Sequence, residues 1–171
     1  MITYNAINVN LPDINQEAIS KWIEEVAFGY GKRVDTINYI FVDDEEILRI
    51  NRQFIGHDYY TDHIGFDTCQ GNLLSGDTFI SLDTVRTNSE KFSTPYDQEL
   101  LRVVIHSVLH LCGIDDLTDE EAKEMRAAED KALALLPNFT WESDQFYSKI
   151  RGWGEDLQEL AQAFLSRKST W

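Results

Sequence analysis

The segment 97–112 (DQELLRVVIHSVLHLC) constrains the chain more than any other. Leu100, Leu101, Val103, Val104, Ile105, Val108, Leu109 and Leu111 spread round nearly the whole circumference of a helix. Such a helix is stable only when other elements enclose it, so it must be central and buried. Gly113 stands just past its end, at the position where a left-handed residue closes a helix. The rest of the chain has to supply a sheet and further helices to cover it.

Residues 2–10 (ITYNAINVN) read as a first strand, broken by Leu11-Pro12-Asp13. Over 14–29, Ile14, Ala18, Ile19, Trp22, Ile23, Val26 and Ala27 recur at helical spacing, and Gly29 and Gly31 stop the run. Arg33–Val42, β-branched and aromatic, predicts a second strand. Asp43-Asp44-Glu45-Glu46 opens a helix that continues through Leu48, Ile50 and Phe54 to Gly56. Its carboxylates face the positive end of the helix dipole, which reads as a solvated helix start. Two short strand-like pieces follow, 62–67 and 77–82, with Gly71, Asn72 and Gly76 permitting turns between them. Residues 83–92 are weakly helical. Thr118 and Glu121 form a capping box for a helix over 119–136, which Pro137 ends. The order β α β α β β α α α predicts an α+β (mixed α/β) fold: a small central mixed sheet packed against the buried apolar helix.

Composition narrows the function. A chain of 171 residues fits one domain with at most an appendage. Thirty acidic against 15 basic residues leave a net charge of -15. That excludes a broad basic face for nucleic acid, because backbone binding rests on Lys and Arg, and it disfavours an anionic membrane surface. No apolar run is long enough for a transmembrane helix. Residues 1–6 lack the basic and apolar regions of a secretory leader, so a cytoplasmic location is expected. Cys69 and Cys112 form no CxxC pair and no disulfide framework, and Cys112 reads as a packing residue.

The chemistry concentrates on the apolar helix. The chain has four histidines, and His106 and His110 lie four apart, on one helix face. Two such imidazoles suit a single divalent metal. Asp116 follows the Gly113 stop, where a returning chain can offer a third ligand. The candidate site is therefore His106, His110 and Asp116 with an open position for water. The competing reading is a hydrogen-bonded pair of core histidines. Either way, imidazoles in an apolar helix need partners, since an unsatisfied buried group costs about 1–3 kcal/mol. Ser107 stands where a HExxH metalloprotease carries its glutamate base.

The run His106-Ser107-Val108-Leu109-His110-Leu111-Cys112-Gly113-Ile114-Asp115-Asp116 resembles the signature of the YbeY family, H-G-x-L-H-L-x-G-x-x-H. Five of its seven fixed positions match in identity. Ser107 replaces the glycine and Asp116 the third histidine. Asn51-Arg52 resembles the family's helix-end arginine. Thr61-Asp62-His63-Ile64-Gly65-Phe66 resembles its T-D-V-L-S-F strand, with His63 at an apolar position. Gly76-Asp77 and Ile80-Ser81 resemble its G-D-I-x-I-S segment, and Glu99 falls where the family's helix carries an acid. The resemblance covers roughly residues 1–136.

It implies a single-strand-specific, metal-dependent endoribonuclease acting in small-subunit rRNA maturation and ribosome quality control. The implied cofactor is one divalent metal, Zn²⁺, and the implied partners are single-stranded rRNA and the ribosome or a ribosome-associated factor. No DNA and no membrane partner are implied. Arg52, a surface helix arginine on pattern alone, becomes the catalytic residue that neutralises phosphate charge. A His₂Asp set carries more negative charge than His₃, makes bound water a poorer acid and tolerates harder ions such as Mn²⁺. Two other functions remain open: a ribosome-assembly binding protein with a structural metal, and a metal-dependent hydrolase of another substrate.

Three smaller expectations complete the reading. His63 is an edge-strand polar residue by strand alternation. His57 is exposed, and Tyr59 and Tyr60 pack or stack on bases. Residues 137–171 form a C-terminal amphipathic helical extension, with Leu157, Leu160, Ala161, Phe164 and Leu165 on one face over 155–168. Residues 113–130 alone hold eight acids and two bases, so the acidity sits at the proposed metal loop. Intrinsic RNA affinity should be weak and strongly salt-dependent, with the ribosome or a partner supplying much of the targeting.

Overall fold

A computed structural model describes residues 1–56 and 61–136, and its elements follow the expected order. The strands are β1 (Ile2–Ala6), β2 (Arg33–Val42), β3 (His63–Asp67) and β4 (Leu73–Ser81). The helices are α1 (Gln16–Gly29), α2 (Asp44–Ile50), α3 (Leu82–Lys91), α4 (Tyr96–Leu111) and α5 (Asp119–Leu133). A π-helical turn, Asn51–Ile55, extends α2 and closes at Gly56 in the left-handed region (φ 79°). His57, Asp58, Tyr59 and Tyr60, and the expected helix over 155–168, lie outside the described residues. Among the described residues no helix is long and apolar enough to cross a membrane.

Side chains start most of these helices. Asn15, Asp43 and Ser81 accept from the backbone N–H groups of Ala18, Glu46 and Thr84. Thr118 and Glu121 make the reciprocal capping box at α5. The four-stranded sheet runs β1-β2-β4-β3. β1, β2 and β4 are parallel, and β3 pairs antiparallel with β4 at the edge.

Strand alternation divides the apolar residues between the two faces of the sheet. Ile37, Tyr39 and Phe41 of β2 and Leu74 and Ile80 of β4 join α1, α4 and α5 in the main core. Ile40 and Val42 turn the other way and meet Ile47 and Ile50 of α2, together with Ile64, Phe66 and Phe79. α4 is enclosed as its composition requires: Ile105, Val108 and Leu109 are wholly buried. Two long-range hydrogen bonds tie the layers. The Tyr39 hydroxyl donates to the Val104 carbonyl at 2.9 Å, and Trp22 Nε1 donates to the Ala132 carbonyl at 2.8 Å. Cys112 packs against the main core.

Two strand boundaries differ from expectation, and α5 ends at Leu133, short of 136. β1 ends at Ala6 because the chain turns through Asn8, whose φ is 63°. β4 begins at Leu73, so Gly76 lies inside a strand and not in a turn. A Cβ at Gly76 would sit 2.6 Å from the Phe66 carbonyl oxygen on β3. The glycine is there for close approach of backbones. Gly76→Ala is therefore expected to destabilise by about 1–3 kcal/mol. Gly65→Ala, whose Cβ meets only Thr78 Oγ1 at 3.9 Å, should cost much less. Thermal melts of both variants check this, and equal losses would show that crowding at Gly76 is not the cause.

Candidate active site

Four polar residues of α4 fall on one stripe. Gln98, Arg102, His106 and His110 follow at steps of four and are the places where the enclosed helix emerges toward solvent. His106 is mostly covered and His110 is exposed, so the pair is less buried than an all-round apolar helix suggests. Their ring centroids are 5.9 Å apart.

Each imidazole is held by Nδ1. His106 Nδ1 lies 2.7 Å from Glu129 Oε2, and His110 Nδ1 lies 2.8 Å from the Ile114 carbonyl oxygen. Both partners are acceptors, so each Nδ1 donates a hydrogen bond and Nε2 is the ring atom left to face a metal. Beyond α4 the chain turns through Gly113 (φ 100°) and brings Asp116 Oδ2 to 3.3 Å from His106 Nε2. Ser107 stays out of this chemistry: its hydroxyl donates to the Val104 carbonyl at 3.0 Å.

Glu129, on α5, was not foreseen. It is buried and takes Arg102 Nη1 at 2.8 Å as well as His106, while Arg102 Nη2 reaches Asp130 at 2.9 Å. Burial pushes the Glu129 carboxyl up, but the hydrogen bonds from His106 and Arg102 outweigh it and hold the group below its ordinary value. The sequence signal was the i,i+4 repeat Met125, Glu129, Leu133, which places a carboxylate on the inward face of α5.

Arg102, His106, Asp116 and Glu129 line a cleft of about 420 Å³ between α4, α5 and the start of β3. Asp62, His63, Glu99 and Arg126 complete its polar wall. His63 lies on the edge strand as expected, but it faces α4: its ring meets His106 edge-on, with centroids 4.6 Å apart and planes at 69°. Its Nδ1 is 2.8 Å from Asp62 Oδ1. Burial raises the Asp62 carboxyl, and the His63 hydrogen bond and the charges of His63 and His106 bring it below its ordinary value. Burial pushes the Glu99 carboxyl up, against the lowering effect of the nearby Arg102 charge. Arg52 lines a different cavity, of about 580 Å³, with Asp43, Glu45, Glu46, Arg49 and Gln53.

The donor set suits a divalent ion in its chemistry. Two ligands on a tetrahedral ion at roughly 2.0–2.2 Å stand about 3.3 Å apart, which is the His106–Asp116 separation. Imidazoles anchored through the far nitrogen to a carboxylate or a carbonyl are the usual second shell of a metal-binding histidine. Among the described residues, however, no three His, Cys, Asp or Glu side chains close around one point as they stand. His106 and Asp116 come together; His110 sits one turn on, beside a neighbouring cavity that it shares with His63 and Ser107.

Anchored imidazoles and carboxylates around an open cleft are the equipment of a metal-dependent hydrolase. The profile of the family described as Endoribonuclease YbeY matches residues 4–137. The chain is 57% identical over 136 residues to Endoribonuclease YbeY of Phocaeicola vulgatus, covering 80% of this chain and 99% of that protein. It is 56% identical over 134 residues to that of Bacteroides thetaiotaomicron, covering 78% and 98%. A solution structure of a Thermotoga maritima protein superposes with a TM-score of 0.59 at 27% identity, over 81% of this chain and 90% of that one. The chain belongs to the YbeY family. It is an endoribonuclease, a hydrolase acting on RNA in rRNA processing, and its family depends on a divalent metal. An assembly protein with a structural metal, or a hydrolase of another substrate, finds no support in these matches.

The depressed Glu129 fixes the sign of one pH effect. Its stabilisation is complete above the ordinary glutamate value of 4.5 and is lost as pH falls through its lower folded value. In chelator-treated protein, wild type should melt above Glu129→Gln by a constant margin from pH 7 to about pH 5.5, and the margin should close on further acidification. A margin that persists to about pH 3 would mean that the carboxylate form contributes nothing.

Proposed function

We propose that the chain is a cytoplasmic, single-strand-specific endoribonuclease of small-subunit rRNA maturation and ribosome quality control. It works with the ribosome or a ribosome-associated factor and carries one Zn²⁺ held by His106, His110 and Asp116. Residues 1–136 form the catalytic domain. One observation carries the reading: His106 is locked by Glu129 on one nitrogen and faces Asp116 at 3.3 Å with the other.

When bound, the ion polarises a phosphoryl oxygen and lowers the pKa of a water toward about 7. The protein's own groups do the rest. Glu129 and the Ile114 carbonyl orient the two imidazoles so that each Nε2 is the atom offered to the ion. Asp116 brings a carboxylate to the loop side. Arg52 offers its planar fork to phosphate charge on the RNA strand. Arg126, exposed at the cleft rim, adds a cation nearer His106. With so few cations, RNA is held weakly and binding falls steeply with salt.

Elemental analysis and cleavage of a single-stranded RNA test this together. Wild type should retain close to one ion per chain. His106→Ala and His110→Ala should lose it, and cleavage should drop by roughly two orders of magnitude or more. Asp116→Ala should weaken retention while Asp116→His preserves it. Retention unchanged in all four variants would overturn the ligand assignment, and metal-loaded wild type inert toward RNA would overturn the substrate.

A further inference from the structure

His63 is the least expected group in the cleft. It sits on the edge strand β3, in register with Ile80 of β4. Alternation decides its direction. Ile64 and Phe66 fill the small core under α2, so His63 must project to the opposite face, where α4 lies. There it meets His106 and lines both the main cleft and the neighbouring cavity that holds His110. Among the described residues it is the one side chain that borders both.

Its chemistry repeats that of the other two histidines. Nδ1 of His63 is engaged by the Asp62 carboxylate at 2.8 Å, as Nδ1 of His106 is by Glu129 and Nδ1 of His110 by the Ile114 carbonyl. All three imidazoles are thus fixed in the tautomer that leaves Nε2 as a donor atom for a metal. Two imidazoles on one tetrahedral ion, with nitrogens at roughly 2.0–2.1 Å, put their ring centroids about 5 Å apart. The His63–His106 separation of 4.6 Å and the His106–His110 separation of 5.9 Å lie on either side of that value.

We infer that His63 is a further ligand of the same divalent ion, adding a third imidazole to His106 and His110. With Asp116 the protein then offers three nitrogens and one carboxylate, and a reactive water enters as a fifth ligand, a coordination number that zinc reaches in catalysis. The inference rests on the metal reading above.

The test uses the full chain, stripped of metal and titrated with Zn²⁺ against a chromophoric chelator, and separately loaded with Co²⁺. His63→Ala and His63→Gln are compared with wild type and with His110→Ala, after melting curves show that the metal-free forms fold alike. Zinc affinity is expected to fall about tenfold or more in both His63 variants. The cobalt spectrum of His63→Ala should gain intensity in the visible, as an ion that loses one ligand moves from five toward four coordination. If His110→Ala loses metal while both His63 variants keep wild-type zinc affinity and an unchanged cobalt spectrum, this inference is wrong and the three-ligand reading stands. If wild type itself takes up neither ion, both fall. Should His63→Ala melt early, His63→Gln, which can still bond Asp62, carries the comparison.

Discussion

Everything in the domain depends on enclosing α4. Sixteen residues, most of them apolar, can be desolvated only between the sheet, α1 and α5. Burying side chains of this size is worth about 1.5–3 kcal/mol each, and none of it is gained unless the cover is nearly complete. The cover leaves one gap along the stripe Gln98, Arg102, His106 and His110. The cleft opens over its middle, at Arg102 and His106. The site is therefore not an addition to the core but the place where the core helix emerges from it.

A polar stripe on a buried helix needs partners, and α5 supplies them. Glu129 serves two cationic or hydrogen-bonding groups at once, Arg102 on one oxygen and His106 on the other. A buried carboxylate with a single partner would gain less than its desolvation costs. With two, it is kept ionised and both partners are fixed in orientation. The high negative charge of the chain takes on a local meaning here. Carboxylates on α5 and the loop before it anchor an arginine and an imidazole, and they offer Asp116 to a cation. They also keep a polyanion such as RNA from binding broadly. Recognition is left to a few cations and to whatever the ion contributes.

Features carried within one element were legible in the sequence. The span of α4, its i,i+4 histidines, the Gly113 stop and the Thr118–Glu121 box are local patterns with local physical causes, and they stand where the spacing put them. What was not legible joins elements far apart in the chain. His106 meets Glu129 across 23 positions, and nothing in either helix alone pairs them. Gly76 looked like a turn residue because glycine permits turns; its actual role, clearance for the Phe66 carbonyl, exists only once β3 lies against β4. Arg52 illustrates the converse. Its helix end was read correctly, but which cavity it borders depends on how α2 packs, and that cavity is lined by carboxylates and not by the histidines.

Gly76 and His63 belong to one chain of constraints. Among the described residues β3 is bonded along one side only, and an edge strand held so lightly is a poor platform for a functional side chain. Two features correct this. The bare backbone at Gly76 lets β3 close tightly on β4, and Ile64 and Phe66 pin its far face into the core beneath α2. With that face pinned, a slip of one residue would bury His63 and expose Ile64, so the register is strongly specified. The position of the His63 ring against His106 is then set by a missing side chain on the neighbouring strand and by apolar packing on the opposite side of the sheet. Precision at the cleft comes from contacts that never touch it.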